Sequence, residues 1–131
     1  MELRKKEPKY HGKSLEELQK LEVREFAKMV DSRQRRTILR NFQTLEDFIS
    51  LAKKKLENGK KIRTHKRNLV IVPQLVGMKI QIYNGNTFVP VDVTLEMLGH
   101  KFGEFSPTRT RTKHTKSGVG ATKGSKAKSK K

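Results

Sequence analysis

Few folds are open to the stretch from Met78 to Val93, because two alternating runs flank a turn dipeptide. Met78, Ile80 and Ile82 fall on one side of the first run, and Lys79, Gln81 and Tyr83 on the other. Asn84-Gly85 tolerates φ > 0, as a tight hairpin turn requires. Val89, Val91 and Val93 then alternate on the return run, so both arms present one aliphatic face. Pro90 cannot donate to a ladder and argues for an edge strand or an early end to the pairing. Next, Thr94 is placed to cap a short helix from Leu95 to about His100. A glycine-punctuated run, Gly99-His100-Lys101-Phe102-Gly103-Glu104-Phe105, leads from there to Ser106-Pro107-Thr108-Arg109-Thr110-Arg111-Thr112-Lys113-His114. A packed hairpin and helix thus hand over to a basic, hydroxyl-rich strap.

What such a unit meets is set by charge. The 131 residues suit one domain with tails, and 31 Lys+Arg against 13 Asp+Glu give a formal charge of +18. Self-repulsion at that density disfavours an isolated compact chain, so a polyanion is the expected partner. Residues 1–59 hold 15 Lys/Arg and 10 acids, residues 60–131 hold 16 and 3, and no acid follows Glu104. The C-terminal half is therefore expected to meet the polyanion first.

Residues 1–13 are charged, carry Pro8 and Gly12, and read as an extended arm. Ser14 and Glu17 make a capping box for a helix from Leu15 to about Val30, with Leu15, Leu18, Phe26, Met29 and Val30 on one stripe. Glu22 falls inside that stripe and is expected to be a partly exposed acid paired with an arginine. Asp31 or Ser32 caps a shorter helix carrying Arg33, Arg35, Arg36 and Arg40, with Ile38 and Leu39 available for packing. Arginines so clustered either form a solvated face or turn their planar forks to phosphates. A third helix is expected from Leu45 to about Asn58, capped by Thr44 and Asp47, apolar along Leu45, Phe48, Ile49, Ala52 and Leu56, and stopped by Gly59. The three helices read as a cover for the hairpin.

The run Lys60-Lys61-Ile62-Arg63-Thr64-His65-Lys66-Arg67-Asn68 places five Lys/Arg in nine residues, as a short strand near Ile62–Thr64 and a basic loop. Leu69 to Val72 reads as buried and ended by Pro73, with a single turn over Gln74–Gly77 before the hairpin. Beyond Lys116 too little apolar surface remains for independent folding.

Catalytic and metal chemistry find no support. His11, His65, His100 and His114 are scattered, and no cysteine is present to complete a zinc set or form a disulfide. Gly118-Val119-Gly120-Ala121-Thr122-Lys123 lacks the preceding strand and following helix of a phosphate loop. No acid/base pair or cofactor fingerprint is visible, so neither an enzyme nor a cofactor is expected. The apolar runs are too short to cross a bilayer, and the first residues lack the apolar core of a signal peptide, which fits a soluble, cytoplasmic chain.

The nucleic-acid signal is composite. Lys and Arg neutralise phosphates, while Ser and Thr bond phosphate or ribose oxygens. Thr108-Arg109-Thr110-Arg111-Thr112 alternates the two kinds, giving an extended strap one cationic and one hydroxylic edge. Aromatics are only 6%, and Phe102 and Phe105 read as core anchors. That argues against an exposed stacking platform and for backbone and shape recognition of folded RNA.

Tyr83-Asn84-Gly85, Val89-Pro90-Val91, Glu96-Met97-Leu98-Gly99-His100-Lys101-Phe102-Gly103-Glu104-Phe105 and Pro107-Thr108-Arg109-Thr110 occur in that order. Together they resemble the signature of the small-subunit ribosomal protein S-nineteen family, with weaker similarity from about Lys61 to His114. Ser32-Arg33-Gln34-Arg35-Arg36 and the long lead-in resemble its archaeal and eukaryotic branch. The resemblance implies a non-catalytic protein that binds ribosomal RNA of the small-subunit head. It also implies a neighbour in head protein thirteen and a tail directed toward the aminoacyl-tRNA site, where tRNA is a partner. Asn84, Gly85, His100, Lys101, Thr108, Arg109 and Thr110 carry over as motif residues; His100 reads equally as a packing or capping residue.

The expectation is therefore an α+β fold: N-terminal helices, then a small antiparallel three-stranded sheet with a short packing helix, and basic disordered tails. Its segments are a basic arm over 1–13, a helical extension over 14–59, an RNA-binding core over 60–105 and a basic tail over 106–131. To the motif residues the charge pattern adds, as RNA contacts, Arg33, Arg35, Arg36, Lys60, Lys61, Arg63, His65, Lys66, Arg67, Lys79, Arg111, Lys113, His114 and Lys116. The alternative is a DNA-binding or chromatin-type protein, whose only candidate recognition helix is the Arg33–Arg40 segment.

Overall fold

The computed structural model describes residues 8–111. Four helices come first: α1 (Leu15–Lys20), α2 (Val23–Ala27), α3 (Ser32–Arg40) and α4 (Phe42–Glu57). Three strands follow, β1 (Ile62–Thr64), β2 (Lys79–Tyr83) and β3 (Phe88–Asp92), with 3₁₀ turns at Pro73–Leu75, Leu95–Met97 and Phe102–Phe105.

The helix expected from Leu15 to Val30 is two helices. Ser14 caps α1 as anticipated: its backbone N–H donates to Glu17 Oε2 at 3.1 Å. The chain then extends at Leu21 (φ −72°, ψ 143°), and the Glu22 N–H donates to Glu25 Oε2 at 3.4 Å to open α2. A straight helix would have carried Glu22 into the apolar stripe. The break turns Glu22 to solvent and buries Val23, Phe26 and Ala27. In the arm, Tyr10 and Lys13 close a tight turn, and Tyr10 packs on Phe26 with ring centroids 6.0 Å apart.

α4 begins at Phe42, earlier than expected, because Asn41 accepts the first helical hydrogen bond from the Leu45 N–H at 3.0 Å. Thr44 lies inside the first turn, and Asp47 accepts from Gln43 Nε2 at 2.9 Å instead of completing a capping box. Leu45, Phe48, Ile49 and Ala52 are buried as their spacing predicts. Leu56 and Leu39 depart from expectation and stay exposed, at 55% and 51%.

The strand order is β1-β2-β3. β2 and β3 form the expected hairpin, with Ile80 opposite Val91 and Ile82 opposite Val89. Pro90 sits on the edge strand, where its missing donor costs the ladder nothing. β1 pairs with β2 in parallel, Ile62 with Ile80 and Thr64 with Ile82. The sheet is therefore mixed, not wholly antiparallel. A parallel neighbour needs a crossover of about a dozen residues or more, and the segment from His65 to Met78 supplies it.

That crossover also seats the glycine-punctuated motif. Along Arg67–Ile71 the backbone bonds Gly99–Gly103: Ile71 N–H to His100 O at 2.8 Å, Phe102 N–H to Leu69 O at 3.1 Å and Gly103 N–H to Arg67 O at 2.9 Å. The helix expected after Thr94 shortens to the Leu95–Met97 turn, without a side-chain cap from Thr94. Leu98 and Phe102 are buried nonetheless, and Phe102 meets Phe48 of α4 edge-on at 5.6 Å. Helices and sheet thus share one core. Truncating Phe102 to Ala should cost about 3–5 kcal/mol, because it leaves a ring-sized cavity between the two layers. Equal chemical-denaturation midpoints for mutant and parent would show that the layers do not depend on that ring.

The turn is built as its sequence suggests. Asn84 Oδ1 accepts from the Asn86 N–H at 2.9 Å and the Thr87 N–H at 2.7 Å, and Gly85 has φ +99°. Gly85→Val should destabilise by about 1–2 kcal/mol, since a β-branched residue resists that conformation. An unshifted melting temperature would count against it.

Candidate nucleic-acid interface

α3 places Arg33, Arg36 and Arg40 at a spacing that shares one face. All three are exposed. With Thr37, Asn41, Asn68 and Lys101 they line an open cleft of about 500 Å³ that no acid lines. Lys101 arrives from a distant part of the sequence because the bridge between Val70 and Lys101 holds its backbone beside the crossover. Four cations and the amides of Asn41 and Asn68 therefore converge on one concave surface, a donor set suited to phosphate oxygens, while the Thr37 hydroxyl donates to Arg33 O at 3.0 Å. Arg40 and Asn68 were absent from the expected contacts. The spacing of Arg33, Arg36 and Arg40 is visible in the sequence; the approach of Asn68 and Lys101 is not.

Two of the expected contacts, Arg35 and Arg67, bond backbone carbonyls of the chain itself. Arg35 Nε donates to Ala27 O at 3.1 Å, and its Nη2 to Lys28 O at 3.1 Å and Val30 O at 3.4 Å. It satisfies the carbonyls that α2 leaves open at its C-terminal end. Arg67, half-buried, donates Nη1 to Tyr83 O at 2.6 Å and Nη2 to Gly103 O at 3.0 Å and Ser106 O at 2.5 Å. One guanidinium thereby ties β2, the motif and the start of the strap together. Arg35 keeps an exposed side chain beside Arg33 and Arg36, whereas Arg67 is half-buried with both Nη atoms bonded to carbonyls.

The strap leaves the core at the hairpin end. Ser106, fully buried, donates its hydroxyl to Ile82 O at 3.3 Å, so the packed core includes this residue. Thr108, Arg109, Thr110 and Arg111 follow, all exposed. Lys113, His114 and Lys116 lie outside the described residues, as do the expected tail beyond them and the first seven residues of the arm.

The remaining candidates spread over the sheet's open face and its border. Lys60 and Lys61 are exposed beside a hollow lined also by Leu56, Lys79 and Gln81. Lys79 lies 3.9 Å from Asp92, its cross-strand partner, with both side chains largely in solvent. Such a pair is weakly held and readily exchanged. Arg63 bonds Gln81 Oε1 at 3.0 Å and covers the Phe88 ring at 5.2 Å. His65 rests against Tyr83 and Phe88, while Lys66 is exposed after its N–H is taken by Thr64 Oγ1 at 3.0 Å. His100 Nδ1 lies 2.7 Å from Glu104 Oε2, which favours a local structural role for that ring. Asn84 uses its side-chain oxygen in the turn, and Gly85 its backbone freedom, so both act here through conformation.

Among the described residues no cluster of histidine and acidic side chains could hold a metal ion, and no helix is long and apolar enough to cross a membrane. Cationic surfaces on a small α+β scaffold place the chain in the class of basic α+β proteins that display an exposed arginine cluster. A family model described as Ribosomal protein S19 matches residues 41–114. The small ribosomal subunit protein uS19 of Methanococcoides burtonii is 40% identical over 124 residues, covering 94% of this chain and 88% of that protein. The chain belongs to the Ribosomal protein S19 family, and its similarity to an archaeal member is consistent with the archaeal-type branch. It is thus a structural constituent of the ribosome. The family match starts at Asn41, so Arg33, Arg36 and Arg40 precede it, while the similarity to the archaeal relative spans nearly the whole chain.

Proposed function

We propose that the chain binds ribosomal RNA of the small-subunit head in the cytoplasm, as a structural and not a catalytic component. The observation that carries this reading is the acid-free cleft of Arg33, Arg36, Arg40 and Lys101. The exposed Thr108–Arg111 strap provides a second cationic surface. Neighbouring head proteins, protein thirteen in particular, and tRNA reached by the C-terminal tail complete the proposed surroundings. The segments 1–13, 14–59, 60–105 and 106–131 serve as arm, helical extension, RNA-binding core and tail, with Ser106 now counted in the core.

Duplex DNA is the weaker match. A recognition helix needs side chains that read base edges, yet Gln34 of α3 is half-buried and its Oε1 is enclosed. The exposed arginines of α3 line a concave cleft with Asn68 and Lys101, a shape that suits a phosphate backbone better than insertion into a groove. Purified protein should prefer small-subunit ribosomal RNA over duplex DNA of equal length at matched salt. Equal affinity across the whole salt range would remove the RNA reading.

Truncation separates the roles of the tail. Deleting residues 117–131 should spare incorporation into the small subunit while weakening tRNA binding at the decoding side. Deletion from Pro107, which leaves the Ser106 anchor in place, should impair incorporation because Arg109 and Arg111 are lost. Normal incorporation of the longer deletion would show that the strap is not an RNA anchor.

A further inference from the structure

We propose that the open face of the sheet, at the end where His65, Tyr83 and Phe88 meet, stacks an unpaired base of the bound RNA. This rests on the RNA-binding reading above and adds to it a mode of contact. The side-chain alternation that buries Ile62, Ile80 and Ile82 turns Arg63, Gln81 and Tyr83 to the opposite face, with Phe88 opposite Tyr83. His65 continues the outward set of β1.

Three rings therefore collect from β2, β3 and the residue that follows β1. Centroids lie 4.5 Å apart for His65 and Tyr83, 5.2 Å for His65 and Phe88, and 5.1 Å for Tyr83 and Phe88. His65 is exposed, whereas Tyr83 and Phe88 are half-buried against one another. The imidazole is thus the ring offered outward, with the other two supporting it.

The surroundings select the occupant. Arg63 lies over Phe88, and the acid on this face, Asp92, is at the far end of β3 beside Lys79. Arg67 and Ser106 bring the strap to Ile82 and Tyr83, so the cations of Arg109 and Arg111 follow closely in sequence from the same end. An aromatic surface bordered by cations fits a base with its flanking phosphates, because every base has a stackable face and each phosphate needs a counter-charge. Low overall aromatic content argued against such a platform. Here three rings suffice, because strand pairing gathers them from separate segments.

The test uses the full chain and two RNA probes of equal phosphate number: a hairpin with an adenosine loop and a fully paired duplex. His65→Ala should weaken binding to the looped RNA roughly tenfold and leave both duplex binding and the salt slope unchanged. His65→Phe should restore the looped affinity. In a Tyr10→Phe background Tyr83 is the only tyrosine, and its fluorescence should be quenched by the looped RNA and not by the duplex. Unchanged looped affinity in His65→Ala overturns the proposal, as does an equal loss on both RNAs, which would mean a role in charge or folding. If the parent chain binds neither RNA better than DNA of equal charge, the RNA-binding reading has failed and the stacking site falls with it.

Discussion

Replacing Arg33, Arg36 and Arg40 together with Ala should weaken binding to small-subunit ribosomal RNA roughly a hundredfold at about 0.1 M salt. The three exposed guanidiniums share one face and one cleft with Lys101. If each neutralises one phosphate, the slope of log K against log salt should flatten by about two to three units, at 0.7–0.9 per contact. Because the side chains are exposed and the described ion pairs do not involve them, thermal stability should change little. Loss of affinity with an unchanged slope would point away from phosphate contact. An unchanged affinity would show that RNA does not occupy the cleft.

The largest stability effect expected of a polar residue belongs to Arg67. Arg67→Met keeps an apolar stem but removes the donors to Tyr83, Gly103 and Ser106 carbonyls. Hydrogen bonds to a charged group contribute about 1.5–3 kcal/mol each, and they are not additive when one side chain makes all of them. A loss of about 2–4 kcal/mol is expected, read as a lower denaturant midpoint and faster amide exchange in residues 99–106. Arg67→Lys should recover only a small part of it. A single ammonium carries the charge but lacks the planar fork that reaches three carbonyls. Full stability in Arg67→Lys would mean that charge alone matters there, and full stability in Arg67→Met would remove the clamp from the account.

These residues show where local pattern is sufficient and where it is not. Alternation in Met78–Val93 specifies the hairpin, its buried face and its turn, because the strand period of two and the needs of Asn84-Gly85 operate between near neighbours. The stripe of α4 is legible for the same reason, with Leu45, Phe48, Ile49 and Ala52 buried as spaced. The single long helix expected before it gives way to two, because a break at Leu21 exposes Glu22 more fully than a place within the stripe allows. The Ser14/Glu17 spacing recurs at Glu22/Glu25, and that second cap overrides the helical period across Leu21.

Net charge, the hairpin, the helical cover and the family signature were determined by the sequence alone. Tertiary structure decided which way β1 runs, because three residues of strand carry no signal of direction and the crossover from His65 to Met78 sets it. It also decided which arginines remain available. Arg33 and Arg67 look alike in sequence, yet one guanidinium faces an open cleft while the other meets a carbonyl at Ser106, far along the chain. A guanidinium's partner is fixed by three-dimensional proximity, and that proximity arises only once helices, sheet and strap have closed on a shared core.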